Sequence, residues 1–106
     1  MVNEITASQL SARRAAGTAP RVLDVRESWE LDVARIPDVL HIPMNEIPGR
    51  LAELDRNAEL VVMCRSGGRS MQVAQFLVRN GFSSVANLTG GILAWSRDVD
   101  SSVNEY

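Results

Sequence analysis

Lysine is absent from this 106-residue chain, and all 11 of its basic residues are arginine. A Schiff-base lysine, a P-loop lysine and a lysine general base are thereby excluded. Cysteine occurs once, as Cys64, so no internal disulfide can form. Histidine also occurs once, as His41. No stretch combines a basic start with an apolar core as a signal peptide does, and none has the length of a membrane span. The expected setting is therefore reducing and cytoplasmic, which a free thiol requires. An excess of positive charge is missing too. With a net charge of −2 and a pI near 5.3, the chain has no general attraction for nucleic acid or an anionic membrane surface, and neither is expected as a partner.

What is present is ordinary globular usage, 45% hydrophobic and 23% charged, in a length that suits one compact domain over residues 1–106. Short apolar runs alternate with amphipathic stretches. This predicts an α/β fold: a mostly parallel central sheet of about five strands with helices on both faces. Thr6-Ala7-Ser8-Gln9 reads as a capping box with Ile5 and Leu10 as its staple, so a first helix runs from about Ala7 to a stop at Gly17. Arg21 to Val25 reads as a buried strand, followed by a helix from about Ser28 that Pro37 ends. Leu40 to Ile42 is a very short strand. Ile47, Leu51 and Leu54 are spaced as on a helix, with Pro48 in its first turn. After the strand Leu60-Val61-Val62-Met63, Met71, Ala74, Leu77 and Val78 form one helical stripe from about Ser70, stopped by a Schellman turn at Asn80-Gly81-Phe82. A last strand, Val85 to Leu88, leads through Gly90-Gly91 into a short helix holding Trp95.

Cys64 opens the loop Cys64-Arg65-Ser66-Gly67-Gly68-Arg69 between that apolar strand and the helix after it. A lone cysteine after such a strand is by default a small buried hydrophobe. The loop argues otherwise. Adjacent glycines let the backbone curl so that successive N–H groups point inward at the sulfur, and the following helix adds the positive end of its dipole. Two arginines add full charge, and thiolates form in such surroundings. Cys64 is thus a nucleophile candidate, with Arg65, Ser66, Gly67, Gly68, Arg69 and Ser70 as its loop. Asp24, Cys64 and Gly90-Gly91 all fall at or just past predicted strand ends, where open α/β sheets bind ligands, so the three should converge on one rim. Gly90-Gly91 is expected to permit close backbone packing there.

The Cys64 loop resembles the active-site loop of the rhodanese-like sulfurtransferases. So do three further segments: Leu23-Asp24-Val25-Arg26-Glu27; the paired steps Arg35-Ile36-Pro37 and His41-Ile42-Pro43; and Leu88-Thr89-Gly90-Gly91-Ile92-Leu93-Ala94-Trp95. The motifs stand in the family's order across residues 22–95. The middle one departs from the family, with Ala34-Arg35 in place of Gly-His and Asp38-Val39 in place of Gly-Ala. The resemblance implies a sulfurtransferase needing no metal or organic cofactor: a Cys64 thiolate takes sulfur from thiosulfate or a protein persulfide, and the loop N–H groups stabilise the charged persulfide. Arg65 and, less directly, Arg69 would bind an anionic donor. Asp24 and Arg26 would brace the rim, with Arg26 pairing with Glu30.

Other residues receive plainer readings. His41 lies outside the family's catalytic positions and is assigned a structural or surface role. Trp29 and Trp95 are expected to pack, and the Arg13-Arg14 and Asp98-Asp100 pairs to be solvated charges. Pro43-Met44 either lines a pocket entrance or fills a core gap.

Two rival functions compete with this one. Tyrosine phosphatases, with arsenate reductases beside them, space their arginine so that it would fall at position 70, which here is Ser70, and the related phosphatases of rhodanese fold have a longer loop. A non-catalytic binding module would be expected to lack the cysteine. Finally, the segment from Gly90 to Tyr106 is similar to the end of rhodanese domains attached to adenylyltransferases that activate ubiquitin-like sulfur carriers. A sulfur carrier and a cysteine desulfurase are therefore possible partners by resemblance; alternatively, the tail only packs against the last helix.

Overall fold

The computed structural model describes all 106 residues. Its elements in order are β1 (Asn3–Ile5), α1 (Ala7–Ala15), β2 (Arg21–Asp24), α2 (Ser28–Val33), β3 (Val39–His41), a 3-10 helix (Met44–Glu53), β4 (Leu60–Met63), α3 (Gly68–Arg79), β5 (Val85–Leu88) and α4 (Gly91–Asp98). The strands form one sheet in the order β1-β5-β4-β2-β3, and every pairing is parallel. All five strands therefore end on the same side.

Four of the strands follow the sequence expectation. The fifth, β1, lies outside that expectation because Asn3-Glu4-Ile5 has no apolar run; it is defined by its parallel register beside Ala86 to Leu88 of β5. The stretch from Met44 to Glu53 is a 3-10 helix rather than the expected α-helix, with Arg50 out of helical geometry (φ −125°, ψ 17°). Pro48 inside it cannot donate to an α-helical ladder, and Gly49 follows. The Thr6 capping box forms in full, with Gln9 N–H donating to the Thr6 hydroxyl at 3.1 Å and Thr6 N–H to Gln9 Oε1 at 2.9 Å. The Schellman stop forms too: Phe82 N–H donates to the Leu77 carbonyl and Gly81 N–H to that of Val78.

The period of two along β4 explains its unbroken apolar sequence. Leu60, Val62 and Cys64 belong to the core under α3 and the 3-10 helix, with Leu23, Val25, Ile47, Val73, Leu77 and Val85. Val61 and Met63 point to the other face, with Val22, Leu10 of α1 and Ile92 and Trp95 of α4. A strand buried on both faces has no polar alternation. Cys64 continues the first of these rows, which turns its sulfur toward the start of α3. In β5, Asn87 falls in the same row as Val85.

Candidate active site

The loop after β4 curls back on its own cysteine. Gly67 takes φ +112°, a left-handed conformation that glycine adopts freely. Its N–H then points at Cys64 Sγ from 3.1 Å. Helix α3 begins at Gly68, two residues before the expected start, so the N–H of Ser70 lies within its first turn and faces the sulfur at 3.4 Å. The Ser70 hydroxyl faces it at 3.3 Å. Cys64 is 1% exposed. Burial pushes its thiol up, but the Ser70 hydroxyl and the Ser70, Gly67 and Ser66 N–H groups outweigh burial and hold it below an ordinary thiol's value.

The loop is clamped from behind by α4. Ile92 and Leu93 N–H groups donate to the Cys64 and Arg65 carbonyls at 3.0 and 3.2 Å. A Cβ on Gly91 would lie 2.4 Å from the Arg65 oxygen and 2.5 Å from that of Cys64. The Gly90-Gly91 step is thus a close-packing device, as its place in the sequence suggested.

Around this cradle the charges pair differently from expectation. Arg26 is completely buried and grips Asp24, not the Glu30 side chain: Nε and Nη2 bind the carboxylate at 2.8 to 3.1 Å. Its remaining donors reach the Glu30 and Ala34 carbonyls and the Tyr106 hydroxyl. That occupies the whole guanidinium. Glu30 instead takes both arms of Arg69, at 2.7 and 2.8 Å, and the Tyr106 hydroxyl at 2.8 Å. Arg69 holds the Glu30 carboxyl down at about 2 against the cost of its burial. Arg65 lays its guanidinium over the Tyr106 ring, 5.3 Å from the centroid, while Nε donates to the Tyr106 main-chain oxygen. His41 serves structure, its Nε2 lying 2.6 Å from the Arg26 carbonyl.

Other expectations are corrected by this geometry. Trp29 is 60% exposed, meeting Tyr106 edge-on at 6.2 Å, whereas Trp95 is buried as expected. Arg13 is ion-paired with Glu59, and Arg14 caps the Pro37 carbonyl and lies over the Trp95 ring. Met44 lines a groove of about 260 Å³ with Ile47, Pro48, Gln72, Val73 and Phe76, which Cys64 does not border. Two participants were missed. Asn87, an amide in an apolar strand, binds Ser70 and Gly67, and its break in the β5 pattern was a legible signal. Tyr106 had none in its local sequence.

A cysteine at the end of a central parallel strand, faced by N–H groups of its own loop and of the helix that follows, defines an α/β protein with a thiol cradle shaped for negative charge. The rhodanese-like domain pattern matches residues 6–98, and the chain belongs to that family. It is 42% identical over 97 residues to a sulfurtransferase of Allochromatium vinosum, covering 92% of this chain and 91% of that one. The crystal structure of a rhodanese-like domain protein from Staphylococcus aureus superposes with a TM-score of 0.85 at 28% identity, covering 99% of both chains. The adenylyltransferase and sulfurtransferase MOCS3-1 of Zea mays is 34% identical over 92 residues, which cover 80% of this chain but only 20% of that protein. No helix is long and apolar enough to cross a membrane.

Proposed function

We propose that this protein moves sulfane sulfur through a persulfide on Cys64. The observation that carries the reading is the set of donors on one buried sulfur: the Gly67 and Ser70 N–H groups and the Ser70 hydroxyl, at the N-terminus of α3. They favour the thiolate, the attacking form. With thiosulfate, Sγ attacks the outer sulfur, a new S–S bond forms, and sulfite departs with the electrons of the old one. With a protein persulfide the leaving group is that protein's thiolate. An acceptor then attacks the terminal sulfur, and Cys64 leaves as thiolate. The charge stays inside the N–H ring throughout, as in an oxyanion hole. The loop arginine nearest the phosphatase position, Arg69, has both arms held by Glu30, which leaves a phosphatase-like reaction without that clamp.

Incubation with thiosulfate should raise the intact mass by one sulfur and support thiocyanate formation from cyanide. Cys64→Ala should abolish both. Activity surviving in that variant overturns the assignment, and turnover of an aryl phosphate above background would revive the phosphatase reading.

The natural exchange fits a reducing, cytoplasmic setting: a cysteine desulfurase persulfide as donor, and an adenylated ubiquitin-like sulfur carrier as acceptor docking at the Cys64 rim. The likeness of residues 90–106 to the sulfur-carrier adenylyltransferases supports this, as does the seating of Tyr106 on that rim. Labelled sulfur should pass from Cys64 to such a carrier. Failure with every carrier of the same genome, while thiosulfate activity persists, rules the carrier out.

A further inference from the structure

Asn87 places an amide on the α3 side of β5, where it is 5% exposed. A buried amide is costly unless bonded, and both ends of this one are. Nδ2 donates to the Gly67 carbonyl at 3.3 Å, and Oδ1 accepts the Ser70 hydroxyl at 2.5 Å. The Gly67 carbonyl also receives the Met71 N–H at 3.1 Å, so it does not depend on the amide. Asn87 Oδ1 has no donor but Ser70.

The Ser70 hydroxyl carries one proton, and two acceptors face it: Asn87 Oδ1 at 2.5 Å and Cys64 Sγ at 3.3 Å. It can serve only one at a time. We propose that Asn87 is a positioning residue that competes with Cys64 for the Ser70 proton, making that hydroxyl a two-position donor. It turns to the sulfur when the sulfur is charged and back to Asn87 when it is neutral. A charged acceptor draws a hydrogen bond about twice as strongly as a neutral one, which drives the first movement. The second spares the hydroxyl from being orphaned once Sγ has formed its S–S bond.

The competition has a measurable sign. Ionising Cys64 strips Asn87 Oδ1 of its only donor in a buried site, and that cost is subtracted from what Ser70 contributes to the thiolate. Asn87 therefore keeps the thiol pKa higher than the ring alone would set it. Several charged or titratable groups lie on the elements around the sulfur. They are Arg69 with Glu30, Arg65, Asp24 with Arg26, and beyond them His41 and Tyr106. None of them is hydrogen-bonded to the Asn87 side chain, which meets only Ser70 and Gly67, and β5 itself carries none.

The inference rests on Cys64 as the nucleophile, so the test reads the thiol itself rather than turnover. Cys64 is the only cysteine, and its alkylation by iodoacetamide across pH reports its ionisation directly. Asn87→Leu, near in size, and Asn87→Ala should each move the midpoint down by about 0.5–1 unit, the worth of one hydrogen bond. Ser70→Ala should move it up, and adding Asn87→Leu to Ser70→Ala should change nothing further. Where Asn87→Leu fails a thermal-unfolding check, Asn87→Ala decides alone. A midpoint at or above wild type in the folded variant overturns the proposal, as does an equal fall in the Ser70→Ala background. Absence of sulfur transfer in the unmodified protein, with the expected midpoints in the variants, would count against the proposed function and leave the competition standing.

Discussion

Arg65 is hydrogen-bonded only through Nε, to the Tyr106 main chain, and the Tyr106 ring lies under its guanidinium. Its terminal nitrogens remain available to an anionic donor. Arg69 differs, because its fork is spent on Glu30. Arg65→Ala should therefore weaken thiosulfate use by about 1.5–3 kcal/mol, read as a rise in KM, by removing a charge-assisted contact. Arg69→Ala should cost less in KM and show its loss mainly in unfolding, since it leaves the buried Glu30 carboxylate with the Tyr106 hydroxyl and the Glu27 N–H but no cation. Thiosulfate kinetics unchanged in both variants would mean that the N–H ring binds the anion unaided.

At the scale of elements, the Cys64 loop is a strand end and a helix start held together by a second helix start. β4 delivers Cys64 to the α3 side, the turn at Gly67 aims α3 at it, and α4 ties off the Cys64 and Arg65 carbonyls. Neighbouring glycines carry unequal burdens in this joint. Gly91→Ala brings a Cβ to 2.4 Å from a main-chain oxygen at φ +59° and should destabilise by roughly 2–4 kcal/mol. At Gly68 no atom lies within 4 Å of a Cβ and φ is not positive, so Gly68→Ala should be neutral or stabilising by up to about 1 kcal/mol. Urea unfolding with equal slopes for the two variants checks both values. The departure from the family at Asp38-Val39 is absorbed locally: Asp38 takes φ +59°, a conformation that Asp tolerates better than most residues.

Across the whole molecule, one network joins β2, α2, α3 and the tail. Asp24 holds Arg26, Arg26 holds Tyr106, Tyr106 holds Glu30, and Glu30 holds Arg69. Val103 anchors the approach, its carbonyl accepting the Ser96 hydroxyl at 2.5 Å. The acid limb of stability reports on this network. The Glu30 carboxyl, at about 2 in the folded protein against 4.5 unfolded, binds fewer protons when folded. Its stabilisation is full above pH 4.5 and is lost as pH falls toward 2. Its side chain is 4% exposed, but Arg69 is 36% exposed, and screening reduces the contribution to about 1–3 kcal/mol. Glu30→Gln should be less stable at pH 7 by that amount, with a flatter decline between pH 4.5 and 2 in chemical denaturation. An equally steep decline in the variant would assign acid sensitivity elsewhere.

The sequence by itself determined what depends on neighbours in the chain. The β4 run, the capping box at Thr6, the Schellman turn at Gly81 and the Cys64 loop with its helix are local patterns, and they appear where the residues place them, the helix opening two residues early at Gly68. So does the rim, because parallel strands carry their ends, and whatever follows them, to one side of the sheet. The tertiary structure decided the long-range pairings. Glu30 reaches Arg69 rather than Arg26, and Tyr106 crosses back over 76 positions to Glu30. β1 is recognisable only beside β5, and Asn87 acquires its two partners only when α3 packs over its strand. Charge pairs and edge strands have no period of their own. Their partners are set by which surfaces the core brings together, and a single sequence read along its length does not contain that distance.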